Sequence, residues 1–244
     1  MLKVRRRSYF VASSAVFAVV YAILGLIPVS PYIGVRSFLT FREILAPLAG
    51  MTFGPLVGGF SMVLGNFVDF ALGKPVVFDF LDFVPDLASA VMAGLAFSRR
   101  KGLALVLPLA LVLWYSLDPL SAKPISLGGI PVPFYWMHLL SVGTLGVAFW
   151  LERNGRVGKL GPIYVGAVAF ASTMTGHIAG SVLFENITVR VNATLTAEAI
   201  AGQWYYIFFA YPPERVLFTI LGTMIAVPVL RSLIRIRKPA PAQS

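Results

Sequence analysis

Three aspartates follow one another closely enough to share a single metal ion. Asp79, Asp82 and Asp86 are separated by three and four residues, so one helix covering all three would place them on the same face. Carboxylates in such an arrangement can hold Mg²⁺ against a diphosphate group. Pro85 instead favours a helix that begins just before it, where Asp86 would only complement the positive end of the helix dipole. Both interpretations stay open, and the first predicts a metal-dependent membrane enzyme acting on a lipid-linked diphosphate.

Both histidines of the chain lie inside long apolar stretches. If those stretches cross a membrane, His177 lies roughly 10 Å below the outer end of its helix, at about 1.5 Å per residue. Polar side chains at such depth are costly and commonly functional. We interpret His177 as a substrate contact, and the alternative is a neutral imidazole bonded to a neighbouring helix. His138 lies at a similar depth, and no metal site is expected at either residue.

Other polar and aromatic residues are expected near the outer ends of the helices. Aromatic faces combined with a few directed polar groups suit a flat, small organic ligand. The candidate substrate-binding residues are His177, Asn66, Asp69, Asp82, Asp86, Glu185, Asn186, Trp204, Tyr205 and Arg36. The acids in this set favour a cationic or zwitterionic ligand over a dianion. The positive charges of Arg36 and Arg42 make that preference weaker.

Several kinds of chemistry are excluded by the sequence. The chain has no cysteine, which excludes disulfides, thiolate catalysis and Cys-ligated metals. The stretch 155–160 departs in spacing from the phosphate-binding motif G-x-x-x-x-G-K-[ST] and lacks its hydroxyl. We therefore assign no catalytic residue, no metal and no cofactor, and any ATP would have to be used by partner subunits.

The composition indicates that these residues are positioned by a membrane protein. Apolar residues make up 58% of the chain and charged residues 12%, with a mean hydropathy of +0.83. A soluble domain carries roughly a quarter charged residues, so the lipid bilayer is the expected surrounding. The net charge of +10 comes from short basic clusters between apolar runs. That pattern is typical of membrane topology, so no nucleic-acid partner is expected.

We predict an all-α, polytopic membrane helix bundle that forms a single integral membrane domain over residues 1–244. A spanning helix needs about 20 mostly apolar residues. About eight spans are predicted, at about 8–28, 39–53, 55–72, 83–98, 102–117, 132–151, 160–184 and 212–231, with boundaries uncertain by about 2 to 4 residues. The stretch 185–211 is expected to form a long outer connection with an aromatic segment at the membrane interface.

The basic residues predict the orientation of the bundle. Fourteen of the twenty Lys and Arg residues fall on one side of the threaded spans, in the clusters 3–7, 99–101, 153–159 and 231–238. By the positive-inside rule, this side and both termini are cytoplasmic, in a multi-pass protein of the cell membrane. Of the ten acids only Glu152 lies on the same side. The acids on the outer side therefore suggest a binding site there.

Small residues mark two places where helices are expected to approach closely. Ser14, Ala18 and Ala22 recur every four residues on the first helix. In lipid such a ladder packs either against a neighbouring helix of the same chain or against a separate membrane protein. The glycines at 50, 54 and 58 have the same spacing, and Gly54-Pro55 separates two short apolar runs. This second pattern predicts a tight helical hairpin with Pro55 at a first helical position.

These patterns together resemble a known family of membrane transport proteins. The residues concerned are the ladder on helix one, the hairpin sequence Leu48-Ala-Gly-Met-Thr-Phe-Gly-Pro-Leu-Val-Gly-Gly59, the stretch Gly176-His-Ile-Ala-Gly180 followed by Phe184, and a last helix opened by Pro213-Glu-Arg215 that ends Val227-Pro-Val-Leu-Arg231. They are similar to the S component of energy-coupling-factor (ECF) transporters over roughly residues 10–98 and 160–235. The predicted helical pair 102–151 is additional, since the family has six helices.

The resemblance implies a function without chemistry in this chain. An S component captures a vitamin or related micronutrient on the outer side of the membrane. It then topples when it docks onto a T transmembrane subunit driven by two ABC-type ATPases, and the docking face would include Ser14, Ala18 and Ala22. Capture of a small-molecule substrate in this way is the leading hypothesis. The diphosphate enzyme and a stand-alone secondary transporter are the alternatives.

Overall fold

The computed structural model describes residues 2–31, 38–190 and 196–237. In these residues the regular structure is helical apart from two short hairpins, and loops connect the elements. The helices are α1 (Leu2–Leu24), α2 (Leu45–Ala71), α3 (Phe83–Phe97), α4 (Lys101–Leu117), α5 (Trp136–Arg153), α6 (Pro162–Leu183) and α7 (Ala197–Arg237). A 3₁₀ turn, Phe41–Ile44, precedes α2, and a π-helical turn, Phe184–Val189, prolongs α6.

Two antiparallel strand pairs occupy loops between helices. The pair β1 (Pro28–Pro31) and β2 (Phe38–Thr40) lies between α1 and the 3₁₀ turn. The pair β3 (Ile125–Leu127) and β4 (Ile130–Val132) lies between α4 and α5. Gly128 and Gly129 both have positive φ, as a two-residue hairpin turn requires. The all-helical prediction therefore holds for the bundle, and the strands are confined to its loops.

The helix α2 is broken into two arms that fold back on each other. Gly54 has φ 82° and ψ 175°, and Pro55 starts the second arm. A Cβ at Gly58 would lie 2.8 Å from the backbone of Ala49 and of Gly50, although residues this far apart in a straight helix are about 12 Å apart. The arms 45–53 and 55–71 thus form the predicted hairpin. Glycine is needed at 54 because other residues rarely adopt this conformation.

Helix α3 packs between this hairpin and α6. A Cβ at Gly50 would overlap the carbonyl oxygen of Ala90, and a Cβ at Gly94 would overlap the backbone at Pro55. On the other side of α3, the hydroxyls of Ser89 and Ser172 lie 2.8 Å apart. Small residues at the contacts therefore bring three helical segments to nearly direct backbone contact, as is common in membrane bundles.

The small-residue ladder of α1 faces the inside of the chain. Ser14, Ala18 and Ala22 are 0%, 3% and 2% exposed, and α1 packs chiefly on α2, where the Tyr21 ring fills the space above Gly65. The first of the two interpretations, internal packing, accounts for the ladder. Docking of a partner on these three residues stays a prediction, and it would require α1 to move because their side chains are buried in the isolated chain.

Three helical stretches within the described residues are long and apolar enough to cross a membrane. They are Phe41–Ala71, Pro162–Ile187 and Glu198–Leu233, and they indicate a membrane protein. The prediction of about eight spans is not supported. The apolar helices Phe83–Phe97 and Lys101–Leu117 have 15 and 17 residues, which at about 1.5 Å per residue falls short of a hydrocarbon core of about 30 Å.

The outer connection is also shorter than expected. The aromatic residues 204–209 were expected in a separate interfacial segment, but they lie in α7, which is a single helix from Ala197 to Arg237. The π-helical turn takes up much of the remaining connection. The reason is that Pro212 and Pro213, which suggested a helix start, are accommodated inside the long helix.

Candidate functional site

A small polar cavity lies among the hairpin, the loop 72–82, α3, α6 and α7. Its lining residues are Arg42, Glu43, Asn66, Phe70, Lys74, Pro75, Val77, Phe78, Asp82, Pro85, Asp86, Gly176, His177 and Arg215. Its volume is about 30 Å³, enough for one or two water molecules. Charged groups are rare in the interior of an apolar bundle and suggest function. A ligand larger than water would require the lining to move outward.

Half of the predicted substrate-binding residues meet at this cavity. Asn66, Asp82, Asp86 and His177 line it, and Asp69 lies directly behind its wall, where it pairs with the lining residues Arg42 and Lys74. These residues come from three different helices and one loop, so their meeting is a product of the tertiary structure.

The carboxylate of Asp69 holds two basic side chains. Arg42 Nη1 donates to Asp69 Oδ2, and Lys74 Nζ lies 3.5 Å from the same oxygen. The guanidinium of Arg42 also lies 5.0 Å from the centre of the Tyr21 ring, a cation–π contact. Burial lowers the pKa of Lys74, and the positive charge of Arg42 lowers it further. The two contacts of Asp69 join the end of α2 to the 3₁₀ turn and to the loop that follows α2.

Asp86 is held by a hydrogen-bond chain from α1. The hydroxyl of Tyr21 donates to Asp86 Oδ2, and Asn66 Nδ2 donates to the Tyr21 oxygen at 3.0 Å. Asn66 Nδ2 also lies 3.0 Å from the carbonyl oxygen of Met62 in its own helix. This series of hydrogen bonds provides a donor to a carboxylate that would be costly to bury alone.

The three aspartates do not converge on one metal ion. Asp82 accepts hydrogen bonds from the backbone N–H groups of Val77 and Phe78, at 2.9 and 3.1 Å, and so fixes the shape of the loop 72–82, to which all three residues belong. Asp79 is exposed and has positive φ. Among the described residues, no group of three His, Cys, Asp or Glu side chains could hold a metal. The arrangement gives no support to the diphosphate enzyme.

His177 is part of a stack of rings behind the cavity. Its Nδ1 lies 3.0 Å from His138 Nε2. The His177 ring also stacks on the rings of Tyr211 and Phe134, with centroid distances of 4.7 and 5.8 Å. The Tyr211 hydroxyl donates to the Phe134 carbonyl oxygen at 2.8 Å. The stack fixes the orientation of the imidazole that lines the cavity.

Four charged lining residues were missed as site residues by sequence reasoning, namely Arg42, Glu43, Lys74 and Arg215. The Nη1 atom of Arg215 lies 3.8 Å from the Oε2 atom of Glu43. A signal was available for Arg215, because a charge within an apolar helix is unusual. Arg42 and Glu43 directly precede an apolar run and read equally well as the polar end of a helix.

The other predicted site residues lie elsewhere. Glu185 is buried and Asn186 bonds to the carbonyl oxygen of Val182 at 2.9 Å, both in the π-helical turn. Trp204 Nε1 donates to the Leu120 carbonyl oxygen at 3.2 Å. Tyr205 is 54% exposed on the surface of α7. None of these four lines the described cavity, and Arg36 lies outside the described residues.

Comparison with known proteins adds no assignment. No family model, no curated protein and no solved structure matches the chain. The cavity and its charges therefore carry the functional argument.

Proposed function

We propose that this chain is the membrane-embedded substrate-capture subunit of an ECF-type uptake transporter for a vitamin or related small organic micronutrient. The observation that carries the proposal is a charged cavity enclosed in an otherwise apolar helix bundle. Its described lining residues all fall in the two regions that resemble the S component, 10–98 and 160–235. The helices α4 and α5 support the site from outside those regions.

The position of the cavity along the helices suits capture from outside the cell. His177 lies in α6 about 22 Å from Pro162, at about 1.5 Å per residue, and the basic cluster 153–159 lies before Pro162. Asp86 lies at the start of α3, whose end is followed by the cluster 99–101. If the basic clusters are cytoplasmic, the cavity lies towards the outer side of a multi-pass protein with both termini inside.

Capture needs opening of the loop 72–82 rather than a chemical step in the chain. The cavity volume of about 30 Å³ is far below the several hundred Å³ of ordinary ligand sites. The loop is joined to the bundle by the contact of Lys74 with Asp69 and by the buried side chain of Phe78, and opening would have to release both. Release into the cell would then depend on the T subunit and the two ATPases. On α1, the exposed residues Val16, Val19 and Ile23 offer a more accessible contact surface than the buried ladder.

Reconstitution tests this proposal against its rivals. The purified chain should bind one small organic compound, identified by native mass spectrometry, and liposomes should accumulate it only when the T subunit, the ATPases and ATP are present. Accumulation by the chain alone in response to an ion gradient would instead identify a secondary transporter. A Mg²⁺-dependent turnover abolished by Asp82→Ala but kept by Asp79→Ala would identify an enzyme.

A further inference from the structure

We infer that the captured ligand is a small zwitterion whose carboxylate binds Arg215 and Arg42. The inference rests on the proposed function and deepens it by naming the chemical class of the ligand. It is drawn from the charges around the cavity, and in particular from which of them already have partners.

Arg215 is a buried cation that has no hydrogen-bonded anion among the described residues. It lines the cavity and is 4% exposed. Its nearest carboxylate oxygen, on Glu43, is 3.8 Å away, beyond hydrogen-bond distance. Within the described residues its Nε has no acceptor. Burying a guanidinium in this state is costly unless an anion completes it.

Arg42 offers a second incomplete guanidinium to the same cavity. Its Nη1 donates to Asp69, but its buried Nε has no acceptor in the described part of the chain. Guanidinium groups bind a carboxylate through paired, charge-assisted hydrogen bonds. Both guanidiniums line one cavity, and each has a buried Nε without an acceptor in the described residues, so they favour an acidic group on the ligand.

The carboxylates of the cavity are more fully used than its arginines. Asp86 accepts from Tyr21, Asp82 accepts from two backbone N–H groups, and Asp69 is paired with Arg42. Glu43 is the exception, because its contact with Arg215 is long. It is therefore the acid best placed to accept an ammonium group.

The charges around the cavity disfavour a ligand that brings net negative charge. Arg42, Lys74 and Arg215 are matched in number by Glu43, Asp82 and Asp86, and Asp69 behind the wall adds a further negative charge. An unbalanced charge is strongly disfavoured in a low-dielectric interior. With three cations and four carboxylates, the formal charges around the cavity sum to −1, so a simple carboxylate would raise the uncompensated charge to −2 and a phosphate dianion to −3. A zwitterion brings the carboxylate together with its own compensating ammonium.

The test identifies functional groups on the bound compound. The full chain in nanodiscs is incubated with a small-molecule extract of cells, washed and denatured, and the released compound is analysed by mass spectrometry before and after methyl esterification and amine acetylation. We expect a compound that gains a methyl group in the first reaction and an acetyl group in the second. When added back, each derivative should bind the wild-type chain at least about tenfold more weakly than the parent compound.

Variants then assign the carboxylate contact. Arg215→Gln should retain at least about tenfold less compound, whereas Arg190→Gln, which removes a guanidinium paired with Asp118 away from the cavity, should retain the wild-type amount. Thermal unfolding checks that both variants fold, and the functional-group analysis of the wild-type chain does not depend on them. A compound without a carboxyl or an amine, or full retention by Arg215→Gln, would overturn the inference and leave capture intact. If the wild-type chain retains no compound, the proposed function itself fails.

Discussion

His138 Nε2 and His177 Nδ1 lie 3.0 Å apart, with the two rings stacked at an interplanar angle of 21°. The contact joins α5, from the additional helical pair, to the α6 histidine that lines the cavity. Because Nδ1 of His177 is engaged, its Nε2 is the ring nitrogen available to a ligand. The additional helices thus position a site residue without reaching the cavity themselves.

Replacement of His177 should weaken ligand binding. His177→Ala is expected to raise the Kd at least tenfold, about 1.4 kcal/mol, because a cavity contact is lost. His138→Ala should have a smaller effect, through the orientation of His177, and the double variant should lose little more than His177→Ala alone. Titration of the compound released from the wild-type chain measures all three. Unchanged affinity in a folded His177→Ala protein would remove His177 from the site.

Asp69→Asn should strongly destabilise the fold. The change keeps the shape of the side chain but removes the anion that holds Arg42 and Lys74. A buried guanidinium left without its partner is expected to lower the free energy of unfolding by about 3 to 5 kcal/mol. Thermal unfolding in detergent measures the loss, with the exposed Asp79→Asn as the matched control. Equal stability of the two variants would contradict a structural role for the ion pair.

Gly50→Ala should disrupt the packing of the hairpin on α3. A Cβ at this position would overlap the backbone of Ala90, and backbone cannot move aside as a side chain does. Overpacking is expected to cost about 1 to 3 kcal/mol or more. Gly143→Ala is the control, because no described atom lies within 4 Å of a Cβ there. The unfolding temperature should fall for the first variant alone, and a similar result for both would refute the close helix contact.

Ala18→Leu should lower the stability of the isolated chain. Ala18 is buried inside the chain, so the larger side chain has to displace its neighbours, at about 1 to 3 kcal/mol. Val19→Leu, on the exposed side of the same helix, should be nearly neutral. If Ala18→Leu leaves the unfolding temperature unchanged and only blocks association with the T subunit, the ladder is a docking face after all.

The Asp118–Arg190 pair should make stability fall in acid. Burial alone would raise the pKa of Asp118, but the N–H of Leu120 and the Arg190 guanidinium outweigh burial and lower it. A carboxyl whose pKa is lower in the folded state stabilises the protein above its unfolded pKa of about 3.9. That contribution is lost as the pH falls through the folded value.

Asp118→Asn should remove this part of the pH dependence. Unfolding temperatures of the wild-type chain and the variant, compared between roughly pH 6 and pH 2, should differ near neutrality and converge at the acid end. A constant difference across the range would show that the charge of Asp118 is not involved.

The sequence by itself determined the features that depend on local composition. Apolar runs and scarce charges indicate a helical membrane protein, and Gly54-Pro55 predicted the hairpin because only glycine readily adopts the required conformation before a proline. The polar residues Asn66, Asp86 and His177 could be selected because polar groups in apolar runs are unusual. Hydropathy overestimated the number of spans, because it identifies apolar stretches but does not give the length of the helix that each stretch forms.

Only the tertiary structure decided which of these residues act together. Tyr21 and Asp86 are 65 residues apart, and His138 and His177 are 39 apart, so no spacing rule joins them. Arg215 meets Glu43 only because α7 packs beside the start of α2. In the packed bundle the small-residue ladder of α1 is buried, and Asp82 lies in a loop. Partners are chosen by how helices pack, and that depends on contacts between distant parts of the chain.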